Sequence, residues 1–92
     1  MTLRTAILSY LASYYPAAFS AEDIRYRVSR PGLLKSEPSI DDVTKELNAL
    51  RSPFIGNLVD TIIDPVNQAS FWGATQKGVD IWAKEGRKTV GN

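Results

Sequence analysis

The order of the secondary-structure signals most constrains what this chain can fold into. Three short amphipathic segments with helical spacing come first. Residues 57–74 follow, with two runs of strand-forming residues separated by turn residues. Thr75 then marks the start of a fourth helical segment. Three helices, a hairpin and a last helix within 92 residues predict an α+β, mostly helical domain with a three-helix core.

The first segment, residues 3–15, is apolar on most of its surface. Leu3, Ile7, Leu11 and Tyr14 recur with helical spacing and predict a core stripe, and Tyr10 widens it. The pattern leaves two interpretations open. The helix carries one wide core face with tyrosine hydroxyls at the water boundary, or a second subunit covers part of it.

Two serine caps define the next helices. Ser20 and Ser39 each precede an amphipathic segment and can accept hydrogen bonds from its first turn. Pro31 ends the second helix and Pro53 ends the third. The linker between these helices, residues 31–38, is longer than the turn of a strict helix-turn-helix.

The hairpin is predicted from residue composition. Residues 58–64 and 70–74 are typical of strands and lie around the turn residues 64–68. The last helix ends at Gly86 and has Ile81 on its outer face. We therefore expect a single domain over residues 1–86, followed by a flexible basic tail over 87–92.

Composition argues against several classes of function. The chain has no cysteine and no histidine, so the usual nucleophiles, general bases and zinc ligands are missing. We expect neither an enzyme nor a protein with a metal or other cofactor. The sequence has neither an apolar run long enough to span a membrane nor a recognisable leader, which predicts a cytoplasmic protein that does not bind membranes.

Three motifs, in this order, carry a family resemblance. They are Phe19-Ser20-Ala21-Glu22-Asp23-Ile24 at the second helix, Ser39-Ile40-Asp41-Asp42-Val43-Thr44-Lys45-Glu46-Leu47 at the third, and Ala74-Thr75-Gln76-Lys77-Gly78 after the hairpin. The chain resembles the winged helix-turn-helix superfamily over residues 3–85, most closely its small MarR- and PadR-like regulators. The resemblance implies a transcriptional regulator that binds double-stranded DNA.

The resemblance also implies which residues would contact DNA. The third helix would lie in the major groove, and the hairpin would form a wing against the backbone or the minor groove. The residues that match these positions are Asp41, Thr44, Lys45 and Asn48 on the helix and Asn67, Gln68 and Ser70 at the wing tip. The first and last helices would form a homodimer whose interface includes Tyr10, Tyr14 and Ile81.

The distribution of charge favours a different source of phosphate contacts and leaves an alternative function open. Residues 31–74 carry three bases against six acids, and the wing tip carries no base. Phosphate contacts would therefore come mainly from outside the third helix. We expect them from Arg25, Arg27, Arg30 and Lys35. The alternative is a protein-interaction module that binds no DNA and presents Asp41, Asp42 and Glu46 to a basic protein partner.

Overall fold

The computed structural model describes residues 2–30, 32, 34 and 36–86, and these confirm the predicted winged-helix plan. The described elements are α1 (Leu3–Ser13), α2 (Ala21–Ser29), α3 (Ile40–Arg51), β1 (Val59–Ile63), β2 (Ser70–Ala74) and α4 (Gln76–Ile81), which continues as a π-helical segment over Trp82–Gly86. The predicted tail, residues 87–92, lies outside the described residues.

Each of the four helices begins with a capping hydroxyl. The side chains of Thr2, Ser20, Ser39 and Thr75 each accept a hydrogen bond from the backbone N–H three residues later. At α3, the Asp42 carboxylate also accepts a bond from the Ser39 N–H, which completes a capping box. The predicted starts of the second, third and fourth helices are therefore confirmed.

Helix α1 is shorter than the predicted span of residues 3–15. It ends at Ser13, and Tyr14 already has non-helical dihedral angles. The cause is Pro16, because the proline ring disfavours the helical conformation in the preceding residue, Tyr15. The spacing of apolar residues predicts where a helix can run, but it does not show that a proline restricts the backbone of the residue before it.

One hydrophobic core joins the three helices to the hairpin. It is formed mainly by large aliphatic side chains that lie inside the three-helix arrangement, with Trp72 closing the hairpin side. The fully buried side chains are Ile7, Leu11, Ile24, Val43, Leu47, Leu50 and Val59. None of the described helices is long and apolar enough to cross a membrane.

The outward position predicted for Ile81 is wrong. Ile81 is half-buried and packs against the core, because α4 and the π-helical segment lie against α1. A π-helical segment has more residues per turn than an α-helix, and Ala83 is exposed while Val79 and Trp82 are half-buried.

The sheet contains a short third segment that the sequence patterns did not indicate. Strands β1 and β2 pair antiparallel, with Val59 opposite Ala74 and Ile63 opposite Ser70. On the other side of β2, the Phe19 N–H donates to the Trp72 carbonyl at 2.9 Å, and the Trp72 N–H donates to the Phe19 carbonyl at 2.7 Å. This bridge ties the start of α2 to the wing.

Candidate nucleic-acid interface

The outer face of α3 brings together the residues predicted to read DNA. Asp41, Thr44, Lys45 and Asn48 lie within an arc of about 100°, since each helical residue rotates by about 100°. All are exposed except Thr44, which is half-buried. The Asn48 side-chain amide donates one N–H to the Thr44 carbonyl at 3.0 Å, which leaves its second N–H and its oxygen to bond a base. The opposite face buries Val43, Leu47 and Leu50.

Two of the three acids assigned to an acidic face of α3 are engaged within the chain. The Asp42 carboxylate caps its own helix through the Ser39 N–H at 3.1 Å. The Glu46 carboxylate accepts bonds from the Arg4 guanidinium on α1, at 3.1 Å to Nε and 3.4 Å to Nη2. Asp41 is the remaining acid on the outer face. Two of the three carboxylates in the predicted acidic surface therefore already have partners within the chain, and the binding of a basic protein there stays a prediction.

Lys45 lies at an open cavity between α1 and α3. The cavity has a volume of about 470 Å³ and is lined by Thr2, Leu3, Arg4, Asp42, Lys45 and Glu46. Arg4 pairs with Glu46 and the Asp42 carboxylate caps the helix, whereas the described residues provide Lys45 with neither an ion pair nor a side-chain hydrogen bond. Its exposed ammonium group is thus available to an outside anion.

The arginines of α2 do not form one cluster. Arg25 and Arg27 lie on opposite flanks of the helix, about 160° apart. The Arg25 Nη1 atom lies 3.6 Å from a Glu37 carboxylate oxygen and donates to the Pro38 carbonyl at 3.5 Å, so this half-buried side chain holds the linker before α3. Arg27 is exposed on the flank near α1. Lys35, the fourth predicted phosphate contact, lies outside the described residues.

Sequence reasoning did not assign Tyr26 to this surface. The tyrosine is 61% exposed, and the Arg30 guanidinium carbon lies 5.6 Å from the centre of its ring. This stacking restricts the conformations of the Arg30 side chain and points the pair away from the core. The four-residue spacing of a tyrosine and an arginine on one helix is the signal that could have revealed it.

The wing tip presents uncharged polar groups and an apolar side chain. The Asn67 side-chain oxygen accepts a bond from the Ala69 N–H at 3.0 Å, and the Gln68 N–H donates to the Asp64 carbonyl at 2.8 Å. The predicted contact side chains, Asn67, Gln68 and Ser70, are all exposed, and Val66 beside them is 91% exposed. Residues 52–76 contain neither lysine nor arginine, so the wing itself cannot neutralise phosphate.

The three residues predicted at a dimer interface differ in their surroundings. The Tyr10 ring is half-buried and packs against Tyr14 at 4.9 Å and Phe19 at 5.1 Å between ring centres. Burial raises the pKa of the Tyr10 phenol, and the nearby Arg27 cation opposes that shift. Tyr14 is 54% exposed, whereas Ile81 packs on the core. The homodimer stays a prediction.

Comparison with known proteins supports the fold. No protein-family model matches the chain, and its sequence matches no curated protein. The chain is similar to a solved structure of a point mutant of Lactococcus lactis ZitR, with a TM-score of 0.66 and 20% sequence identity. The match covers 99% of this chain and 56% of that one, so this chain spans little more than half the length of the ZitR chain. This structural likeness confirms the winged-helix fold.

Proposed function

We propose that this protein is a DNA-binding winged-helix regulator whose third helix lies in the major groove of double-stranded DNA. The observation that carries the proposal is the outer face of α3, where Lys45 and Asn48 are exposed and Asp42 and Glu46 are engaged elsewhere. The winged-helix fold and the resemblance to MarR- and PadR-like regulators support it. Major-groove reading by a helix suits such a face.

The contacts divide between base reading and phosphate binding. Lys45 can bond guanine or phosphate, and Asn48 can bond adenine through its oxygen and the N–H that does not bond the Thr44 carbonyl. Arg27 and Arg30 are exposed cations suited to phosphate. Arg25 would have to exchange Glu37 for phosphate, and Lys35 is proposed from the sequence alone. Asn67 and Gln68 would add contacts without charge.

The alternative, a module that binds a basic protein through acidic side chains of α3, has less support. It needs Asp41, Asp42 and Glu46 to act together. The Ser39 cap and the Arg4 ion pair already use two of those carboxylates. If a partner bound these two carboxylates, α3 would lose its capping box and its ion pair with α1. A single exposed aspartate provides little electrostatic complementarity.

The proposal is tested by fluorescence anisotropy of a labelled random-sequence DNA duplex at about 50 and 200 mM salt. We expect affinity in the micromolar range that falls steeply with salt, because non-specific binding comes from counterion release. Substituting Lys45→Ala should lower the slope of log K against log salt by about 0.9, the contribution of one phosphate contact.

The matched control is Lys77→Ala, which removes the same charge from an exposed position on α4. It should leave the slope within error of the parent chain. Equal losses from both lysines would mean that net charge, rather than the face of α3, sets binding. An absence of binding at the lower salt concentration would overturn the proposed function.

A further inference from the structure

Strand β1 forms an open edge of the small sheet. Strand β2 is bonded to β1 on one side and to Phe19 on the other, so β2 is the middle strand. Phe19 covers one edge of the sheet. Among the described residues no strand pairs with the outer side of β1. Such an edge presents backbone groups that another chain can bond.

The register identifies which backbone groups face outward. The Asp64 N–H donates to the Ala69 carbonyl at 2.9 Å, and the Thr75 N–H donates to the Leu58 carbonyl at 3.0 Å, at the two ends of the ladder. Residues that bond the partner strand alternate along an antiparallel strand, so residues 58, 60, 62 and 64 face β2. The residues whose backbone groups face outward are Val59, Thr61 and Ile63.

The first half of this edge is already protected. The Asp60 carboxylate accepts the Thr61 N–H at 2.8 Å, and the Asn57 amide, in the orientation that satisfies its hydrogen bonds, donates to the Val59 carbonyl at 3.3 Å. Within the described residues, the Thr61 carbonyl and both backbone groups of Ile63 have no such partner. The second half of β1 is therefore the part that can accept a strand.

The side chains of that second half are apolar and exposed. Ile62 is 58% exposed and Ile63 is 62% exposed, and as neighbours on a strand they lie on opposite faces of the hairpin. Val66, in the turn, is 91% exposed. An edge strand with unpaired backbone and aliphatic side chains in water is an aggregation hazard unless something covers it.

Charge determines which kind of occupant fits. Asp60 and Asp64 bracket the two isoleucines. Arg51 lies 3.8 Å from an Asp60 carboxylate oxygen, but residues 52–76 contain no lysine or arginine, and Asp64 has no ion pair among the described residues. Polyanions such as DNA or an anionic lipid surface are therefore unfavourable here. A second copy paired through the same edge would bring two more aspartates to an acidic hairpin. A segment with basic side chains complements it.

We propose that the second half of β1 docks an extended segment of another protein in which aliphatic and basic side chains alternate. The segment adds to the sheet as a strand. Its backbone bonds the Thr61 carbonyl and both backbone groups of Ile63. Its aliphatic side chains lie on one face of the added strand and pack against Ile63, and its cations lie on the other face, beside Asp60, Ile62 and Asp64. This protein contact is additional to the proposed binding of DNA by α3 and does not depend on it.

The test is an NMR titration of the ¹⁵N-labelled chain with the synthetic peptide Lys-Ile-Lys-Val-Lys-Ile-Lys. We expect amide shifts confined to residues 59–66 and slower hydrogen exchange at the Ile63 amide. The same peptide with glutamate in place of lysine should not bind. A peptide N-methylated at alternate residues should not bind either, because methylation removes the donors of the new ladder while it keeps the side chains.

Two variants test whether peptide binding depends on the isoleucine side chains of β1. The double substitution Ile62→Thr/Ile63→Thr keeps strand-forming residues and should weaken peptide binding by about tenfold or more. The matched control, Phe54→Ser, removes a side chain that is 98% exposed in the loop before β1 and should change nothing. Shifts centred on α3, equal binding of the N-methylated peptide, or no binding at millimolar peptide would overturn the proposal.

Discussion

The guanidinium group of Arg4 on α1 and the carboxylate of Glu46 on α3 form a two-point ion pair, with Nε–Oε2 at 3.1 Å and Nη2–Oε1 at 3.4 Å. The pair joins residues 42 positions apart in the chain. It lies on the flank of α3 that faces α1, beside the outer face proposed to read DNA. Planar, parallel bonds of this kind fix geometry as well as adding energy. Arg4 thus helps to set the angle of α3 against α1.

A double-mutant cycle with Arg4→Met and Glu46→Met should measure a coupling free energy of about 0.5 kcal/mol in urea unfolding. The value is modest because the two side chains are 43% and 24% exposed, so water and salt screen the attraction. The coupling should shrink in high salt.

The control for this cycle is the pair Arg51–Asp60. Its closest atoms are 3.8 Å apart, and its side chains are 52% and 64% exposed. The same cycle there should give a coupling close to zero. Equal coupling free energies in the two pairs would show that the shorter, less exposed Arg4–Glu46 contact stabilises the chain no more than the Arg51–Asp60 contact does.

Local sequence signals predicted most of the fold because they act over few residues. Ser20 and Ser39 each precede a helix by one position, and the hydroxyl and the amide it bonds are three residues apart. Such contacts can be read from spacing alone. The same reasoning applies to Thr75, where the hydroxyl accepts the Gly78 N–H. The helix starts and the hairpin were therefore predictable.

The side-chain partners were harder to predict because they lie far apart in the sequence. Nothing near Glu46 indicates that Arg4 will reach it, and nothing near Phe19 indicates a bridge to Trp72. Counting charge by segment therefore treated Glu46 as a solvated acid. Pairings of this kind depend on helix packing, which an isolated pattern does not specify.

The predicted homodimer can be tested through Tyr14, which is 54% exposed on the surface of α1. If two copies associate through α1 and the last helix, Tyr14→Arg should place an uncompensated charge at the interface and yield a monomer in analytical ultracentrifugation. Tyr26→Arg is the matched control, because Tyr26 is 61% exposed on α2. It should keep the parent's state. A Tyr14→Arg chain that sediments like the parent would exclude this interface.

The Tyr10 hydroxyl is buried and makes no well-formed hydrogen bond among the described residues, although the Arg27 side chain lies close to it. A buried polar group without a partner costs about 1–3 kcal/mol, so Tyr10→Phe should raise the free energy of unfolding by about 1 kcal/mol at neutral pH. Tyr14→Phe, at an exposed ring, should change it by less than about 0.5 kcal/mol. Urea denaturation measures both. A destabilised Tyr10→Phe chain would mean that the hydroxyl has a partner.

The same hydroxyl predicts an alkaline effect with a definite sign. Burial, the largest cause, raises the pKa of the Tyr10 phenol above its ordinary value of 10.0, so the folded chain holds this proton more tightly than the unfolded chain does. Below pH 10 the phenol is protonated in both states, and its ionisation does not change the free energy of unfolding. As the pH rises from 10 through the folded-state pKa, the unfolded chain releases the proton first, so the free energy of unfolding falls. Between about pH 9 and 11 the parent should therefore lose more stability than Tyr10→Phe, whereas parallel curves would show that Tyr10 ionises equally in both states.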